Sequence, residues 1–173
     1  MSFTLKTLNN PQRDSLTKIF SQFKLSNNQD SSCFELDKSE DVEKQLLDNI
    51  LSRAIKKKTR LHILYDERES SKPIPCGLIA LNFELIGNFA ALCIDFIFIS
   101  KNYRGVYLPE IDSKISNYLL SFALQEAIQM NEISKLDAVI LSPINECVSK
   151  VYKEFGFEEF GDGWLYFYID DIV

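Results

Sequence analysis

Two titratable side chains stand in this sequence where apolar residues would be the rule. Asp95 is the only carboxylate inside a nearly continuous apolar run, 89–100, and Tyr152 lies in the last turn of a short amphipathic segment, 145–157. A carboxylate flanked by Ile94 and Phe96 on a central strand is desolvated, which raises its pKa toward the range useful for a general base. The same residue could equally pair with a buried arginine or cap a loop. Tyr152 is protonated at neutral pH and able to donate a proton, or it simply packs beside Val148 and Phe155. A cysteine–histidine nucleophile would need His62, the only histidine, which falls within a strand pattern, 61–65. Cys33, Cys76, Cys93 and Cys147 are scattered with no C-x-x-C pair, so neither a zinc site nor a disulfide framework is expected. Cys93 and Cys147 read as small buried hydrophobes.

The elements that must position these groups follow from periodicity. Asn145 is a good N-cap, since its side chain can accept a bond from an orphan N–H of the first turn. Val148, Val151 and Phe155 recur on one face, and Gly156 suits the left-handed residue that ends a helix. An apolar run, 136–141, precedes this helix and an aromatic strand, 164–169, follows it. Earlier, 3–8 alternates like a strand, and Asn10-Pro11 reads as a helix start. Leu16, Ile19, Phe20 and Phe23 then form a helical stripe. A polar stretch, 26–39, is broken by Cys33-Phe34. Val42, Leu46, Ile50 and Ala54 mark a second helix that ends in Lys56-Lys57-Lys58, cations suited to the helix dipole. That triplet reads as a solvated helix end rather than a nucleic-acid patch. Strands 61–65 and 76–86 form a hairpin, and Gly87-Asn88 turns the chain into 89–100, a strand buried on both faces. A loop, 101–112, leads to a long helix, 113–130, with Ile115, Leu119, Phe122, Ala123 and Ala127 inward. The order is strand, two helices, three strands, helix, strand, helix, strand, which predicts a mixed sheet.

Composition bounds the rest. At 173 residues, with 46% apolar and 25% charged, the chain is expected to form one globular domain over 1–173. A net charge of −6 argues against a nonspecific nucleic-acid surface. No stretch is apolar enough to span a membrane and no signal-peptide layout opens the chain, so a reducing cytoplasmic setting is expected.

The sequence Asn145, Val148, Tyr152, Gly156, Phe157 resembles the closing segment of the GNAT N-acyltransferase superfamily, N-x-x-A-x-x-x-Y-x-x-x-G-F, with Val148 in place of the small residue. The order of elements agrees over most of the chain. The resemblance implies an α/β (α+β) fold with a mixed, mostly antiparallel sheet of about six to seven strands flanked by about four helices. It implies acetyl-CoA as cofactor, without metal, bound where strand 89–100 parts from strand 136–141. The pantetheine arm would pair with backbone at Ile97, Phe98 and Ile99. Arg104, Gly105, Ser113, Lys114, Ile115 and Ser116 would form the phosphate loop opening a helix. Lys114 and Ser116 replace the family's two glycines, after an apparent insertion, 106–111. Glu110 and Asp112 would repel a diphosphate by about 1 kcal/mol each at surface dielectric, with Lys101, Arg104 and Lys114 to offset them. Tyr152 would be the acid that protonates the CoA sulfur, Asp95 the base, and Asn145 a cap that also faces the cofactor.

The implied function is acetyl transfer to a primary amine, directly within a ternary complex. The alternative is a GNAT-fold protein that has lost catalysis and serves as a binding or regulatory module. A third variant is the toxin subclass that acetylates charged tRNA, to which Cys33-Phe34 and the following helix bear a faint similarity. From the acidic charge, the expected partner is a small-molecule or peptide amine rather than nucleic acid, with no membrane. A homodimer through the edge of the final strand is also expected.

Overall fold

The computed structural model describes residues 2–26, 40–69, 71–144 and 146–172, with 40, 41 and 147 described by backbone alone. In chain order the elements are β1 (Phe3–Thr7), α1 (Arg13–Phe20), α2 (Glu40–Ile55), β2 (Arg60–Asp66), β3 (Ile74–Ile86) and β4 (Phe89–Ile99). There follow β5 (Tyr107–Leu108), β6 (Ser113–Lys114), α3 (Ile115–Ile133), β7 (Ala138–Leu141), α4 (Glu146–Phe155), β8 (Glu158–Gly161) and β9 (Trp164–Tyr168). Seven strands form one sheet in the order β1-β2-β3-β4-β7-β9-β8, and β5 pairs with β6 as a separate ribbon. β4 and β7 run parallel because α3 crosses over between them. The remaining neighbours in the sheet are antiparallel.

Strand alternation distributes the core. On β2, Leu61 and Ile63 face α1 and α2, where they meet Leu16, Phe20, Leu47 and Leu51. Leu64 belongs to the opposite face, with Ile79, Leu92, Ile115, Leu119 and Ala123 under α3. A third, smaller cluster of Ala91, Cys93, Ala138 and Ile140 carries Phe89 and Tyr166 against it and contains no helical residue.

The mixed, mostly antiparallel sheet and the flanking helices agree with expectation, but several local readings do not. α1 begins at Arg13 rather than at Pro11, because Asn10 takes a left-handed conformation (φ 49°) and Gln12 becomes the N-cap. The loop 101–112 holds most of a small ribbon. An unforeseen strand, β8, forms a hairpin with β9. That hairpin places β9 between β7 and β8, so the final strand has no free edge. The expected pairing of that edge with a second copy is therefore excluded by the hydrogen-bonding of β9 on both sides. Asn145 and Cys33-Phe34 lie outside the described residues.

His62 is 3% exposed. Its Nδ1 lies 2.8 Å from the Thr7 hydroxyl, and its ring meets Phe122 edge-on at 4.8 Å. Burial, aided by the positive charge of Arg60, pushes its pKa down to about 4. A histidine that stays neutral in the fold and charges when unfolded removes stability as pH falls below its unfolded value of about 6.5, and the loss continues to about 4. As the chain's single histidine, it gives a clean test. Wild-type protein is expected to lose about 2 kcal/mol more stability than His62→Gln between pH 7.5 and 5, read by urea unfolding at each pH. Equal losses in the two proteins would contradict this.

Candidate functional site

The centre of the site is an irregularity in β4. Ala80 pairs with Phe96 and the next residue, Leu81, pairs with Ile94, so Asp95 is the extra residue of a β-bulge. Parallel pairing with β7 ends at the same point, Ile94 opposite Leu141. From Asp95 to Ile99 the β7 side of β4 therefore has no strand partner. Ile97 and Ile99 are half-buried against the α3 side of the core, while Phe98 faces α1 and α2 and meets Phe23 edge-on at 5.4 Å. The open backbone of these residues is what an extended arm would pair with.

Asp95 is not an isolated desolvated acid. Arg53, from the last turn of α2, donates to its Oδ2 at 3.0 Å, with the Asp95 side chain 11% exposed. This is the pairing with an arginine that the sequence left open. Arg53 itself was not foreseen as part of the site, since nothing in its spacing links it to a residue 42 positions away.

Tyr152 packs against the core cluster under α3. α4 ends where its carbonyl accepts bonds from the backbone N–H of both Gly156 and Phe157. Its ring packs edge-on against Phe157 at 6.1 Å, and burial pushes its pKa up to about 12. The phenol is therefore a firmly protonated donor at neutral pH. Gly156 fixes this arrangement. At φ +129° it is in a region that L side chains rarely adopt, and an added Cβ would lie 2.8 Å from the Phe167 ring.

The phosphate-loop candidates divide into two groups. Arg104 turns away from the helix: it donates to the Ile99 carbonyl (2.8 Å) and pairs with Glu43 (2.8 Å). It also stacks over Phe98 at 5.3 Å. Its charge serves to hold α2 and the end of β4 together. Gly105 lies exposed in the turn before β5. Ser113 and Lys114 form β6, with the Ser113 hydroxyl donating to the Lys114 carbonyl. Ile115 is 1% exposed and sits on Gly77, where a Cβ would lie 2.9 Å from its Cγ2. That glycine lets the start of α3 press onto β3. Ile115 can thus offer only its backbone N–H, and Ser116 follows half-buried in the first turn.

The two acids before this helix start are both bonded, one to a cation and one to a neutral hydroxyl. Asp112 takes a left-handed conformation in the ribbon turn and its carboxylate accepts a bond from the Tyr107 hydroxyl. Glu110 pairs with Arg68 at 3.4 Å. Arg68 also donates to Asp66, as does the Tyr103 hydroxyl at 2.7 Å. Although burial works the other way, these bonds hold the Asp66 carboxyl down at about 2. The first turn of α3 contains no acidic residue, and its N-cap Lys114 makes no side-chain bond. Uncapped N–H groups and an exposed lysine therefore converge beside the open end of β4. Surface grooves of about 560 and 480 Å³ lie elsewhere, between α4 and the β8–β9 turn and between α1 and α2. We place the candidate site at the parting of β4 and β7 because the unpaired backbone and Asp95 lie there, with Tyr152 packed on the α3-side core to which Ile97 and Ile99 also belong. Among the described residues no group of three or more His, Cys, Asp or Glu is placed to hold a metal, and no helix is long and apolar enough to cross a membrane.

The sheet order, with its single parallel pair and flanking helices, makes a GNAT-like fold. The sequence matches no protein-family model and no curated protein. Solved structures are similar over nearly the whole chain. AtaTR bound with acetyl-CoA has a TM-score of 0.69 at 15% identity, covering 99% of this chain and 96% of that one. AtaT complexed with acetyl-methionyl-tRNAfMet has a TM-score of 0.68 at 15% identity, covering 98% and 96%. The KacTA–DNA complex has a TM-score of 0.67 at 14% identity, covering 98% and 96%. These likenesses correct the partner reading drawn from charge. Proteins of this fold are seen with tRNA and with DNA, so the preference for a small-molecule or peptide amine over nucleic acid does not stand. Net charge is a sum over the chain and says nothing of how cations are grouped on one face.

Replacing Gly156 tests the positioning of Tyr152. Gly156→Ala is expected to cost about 2 kcal/mol through φ strain and the Phe167 contact. That corresponds to a fall of roughly 5 °C in the melting temperature, and an unchanged temperature would contradict the geometry.

Proposed function

We propose that this protein is an acetyl-CoA-dependent N-acetyltransferase that acts by direct transfer in a ternary complex, with its acceptor amine carried on RNA. The observation that carries the reading is the parting of β4 from β7 at the Asp95 bulge, with a protonated Tyr152 on one side and an uncapped helix start beyond. When bound, acetyl-CoA supplies the activated acetyl group. The backbone of residues 97–99 pairs with its extended arm, and the first-turn N–H groups of α3, with Lys114, meet its phosphates. Asp95, held in place by Arg53, binds the acceptor's ammonium and takes its proton. Tyr152 gives its proton to the departing sulfur, and its raised pKa keeps that proton available across the physiological range.

Direct transfer is favoured over an acyl-enzyme because Cys76 and Cys93, the free thiols among the described residues, are buried. Burial first, with nearby carboxylates, pushes both up to about 12. Neither supplies a thiolate at neutral pH. The RNA-borne acceptor is supported by the likeness to AtaT with acetyl-methionyl-tRNAfMet. A second reading, a GNAT-fold binding module without catalysis, is favoured by Lys114 and Ser116 in the place of glycines and by the ribbon inserted before α3.

Acetyl-CoA at a hundredfold above its Kd is expected to stabilise the protein by about 2.7 kcal/mol, raising the melting temperature by roughly 5–10 °C. No shift at millimolar acetyl-CoA would exclude the enzyme. Tyr152→Phe is expected to lower kcat about 100-fold with little change in acetyl-CoA affinity. With the phenol near 12, the wild-type rate should show no tyrosine ionisation below about pH 10. A variant as fast as wild type would remove Tyr152 as the acid, and a wild type that binds acetyl-CoA without transferring it would leave the binding module as the better account.

A further inference from the structure

The unpaired edge of β4 is short because it is bounded at both ends. β7 pairs as far as Ile94, and the bulge at Asp95 follows. At the far end the Ser100 N–H donates to the Cys76 carbonyl at 2.9 Å, toward β3. The peptide joining Ile99 to Ser100 is trans, so the Ile99 carbonyl points the other way, to the side that β7 has left. Arg104 Nε donates to that carbonyl at 2.8 Å. Backbone groups alternate between the two sides of a strand. The edge open to an extended arm is therefore the N–H and carbonyl of Ile97 and the N–H of Ile99.

The guanidinium that closes this edge is held from several directions. Its Nη1 donates to the Ser26 hydroxyl, and its Nη2 pairs with Glu43 of α2 at 2.8 Å. Glu43 in turn accepts from the N–H and the hydroxyl of Ser26, each at 2.7 Å. The Lys24 N–H donates to the Ser100 hydroxyl at 2.7 Å, and the Lys24 carbonyl accepts from the Lys101 N–H at 2.8 Å. The guanidinium carbon also lies over the Phe98 ring at 5.3 Å. A planar fork with all three nitrogens engaged is fixed in a way that a lysine in its place would not be.

An open strand edge accepts an extended partner in registers two residues apart, with the same faces presented. Such a slip would draw the reactive end of the arm about 7 Å back from Asp95. Resting on the acetyltransferase reading, we infer that Arg104 is a register stop. By occupying the Ile99 carbonyl it leaves a single pairing for the arm, on Ile97 and the Ile99 N–H, which sets the thioester beside the Asp95 bulge. It acts through the backbone of Ile99 and is a positioning residue, distinct from a phosphate ligand.

The probe for this is S-acetylpantetheine, which has the arm and thioester of acetyl-CoA but no phosphate, so that only the strand edge sets its register. Intermolecular nuclear Overhauser effects from its acetyl methyl to labelled protein report where the thioester lies. Wild type should show one contact set, at residues 94–96. Arg104→Lys keeps a cation for Glu43 but cannot also hold the Ile99 carbonyl, and should gain a second set at Ile97. Glu43→Gln, which leaves the Nε bond in place, should keep the single set. In wild type the Arg104 Nε–H signal should stay slowly exchanging when the probe is saturating, a readout that needs no variant. A single contact set in Arg104→Lys, a second set in Glu43→Gln, or release of the wild-type Nε–H by the probe overturns the stop. So does failure of wild type to bind the probe at millimolar concentration. If acetyl-CoA still binds wild type by calorimetry in those cases, the acetyltransferase reading survives. Absent acetyl-CoA binding overturns that reading instead.

Discussion

Arg53 and Asp95 tie α2 to the bulge of β4, and much of the site's geometry depends on that pair. The bulge bends β4 at the residue where β7 stops pairing with it, so the strand's hydrogen-bonding edge is released without an orphaned buried stretch on the other side, where β3 stays paired to Ile99. A bulge costs one ladder position and leaves one residue unpaired. Here that residue is a carboxylate, and the guanidinium 3.0 Å away compensates its charge. Removing the arginine alone would leave an almost buried acid without its counter-charge, which is costlier than losing an exposed ion pair.

Other constraints bring the cofactor side to the same place. Gly77 allows Ile115 to seat α3 on β3, and the Asp66, Arg68 and Tyr103 network, with Glu110 drawn in, pulls the inserted ribbon back toward the edge of β1 and β2. Arg68 also lies 4.9 Å over the ring of Phe3, which anchors the network to the first strand. Of the ribbon's two carboxylates, Glu110 is ion-paired in this network, while Asp112, two residues before the N-cap of α3, accepts from the Tyr107 hydroxyl. An insertion that looked hostile to an anion in sequence has one of its two acids offset by an arginine in three dimensions.

What was legible beforehand was periodicity and local stops: the strand pattern of 61–65, the apolar run of β4 interrupted only by Asp95, the Tyr152 helix ending at Gly156. What was not legible was contact at long range. No local signal pairs Arg53 with Asp95, or turns Arg104 toward Glu43 rather than toward a phosphate. β8 was missed because Glu158, Glu159 and Gly161 have little strand propensity; it exists because β9 offers it an edge. The ribbon was missed for a similar reason, since two-residue strands leave no period to read. Charge misled for a physical reason too, since a sum cannot report that residues 49–65 carry cations and no acids.

The central claim is that the unpaired edge of β4 beyond Asp95 and the first turn of α3 together hold acetyl-CoA. Amide hydrogen exchange read by mass spectrometry, with and without saturating acetyl-CoA, addresses it directly. Exchange at 95–99 and 115–117 should slow by at least tenfold while β1 and β2 stay unchanged. Saturating acetyl-CoA that leaves those amides untouched, or protects only the groove between α4 and the β8–β9 turn, would contradict the account.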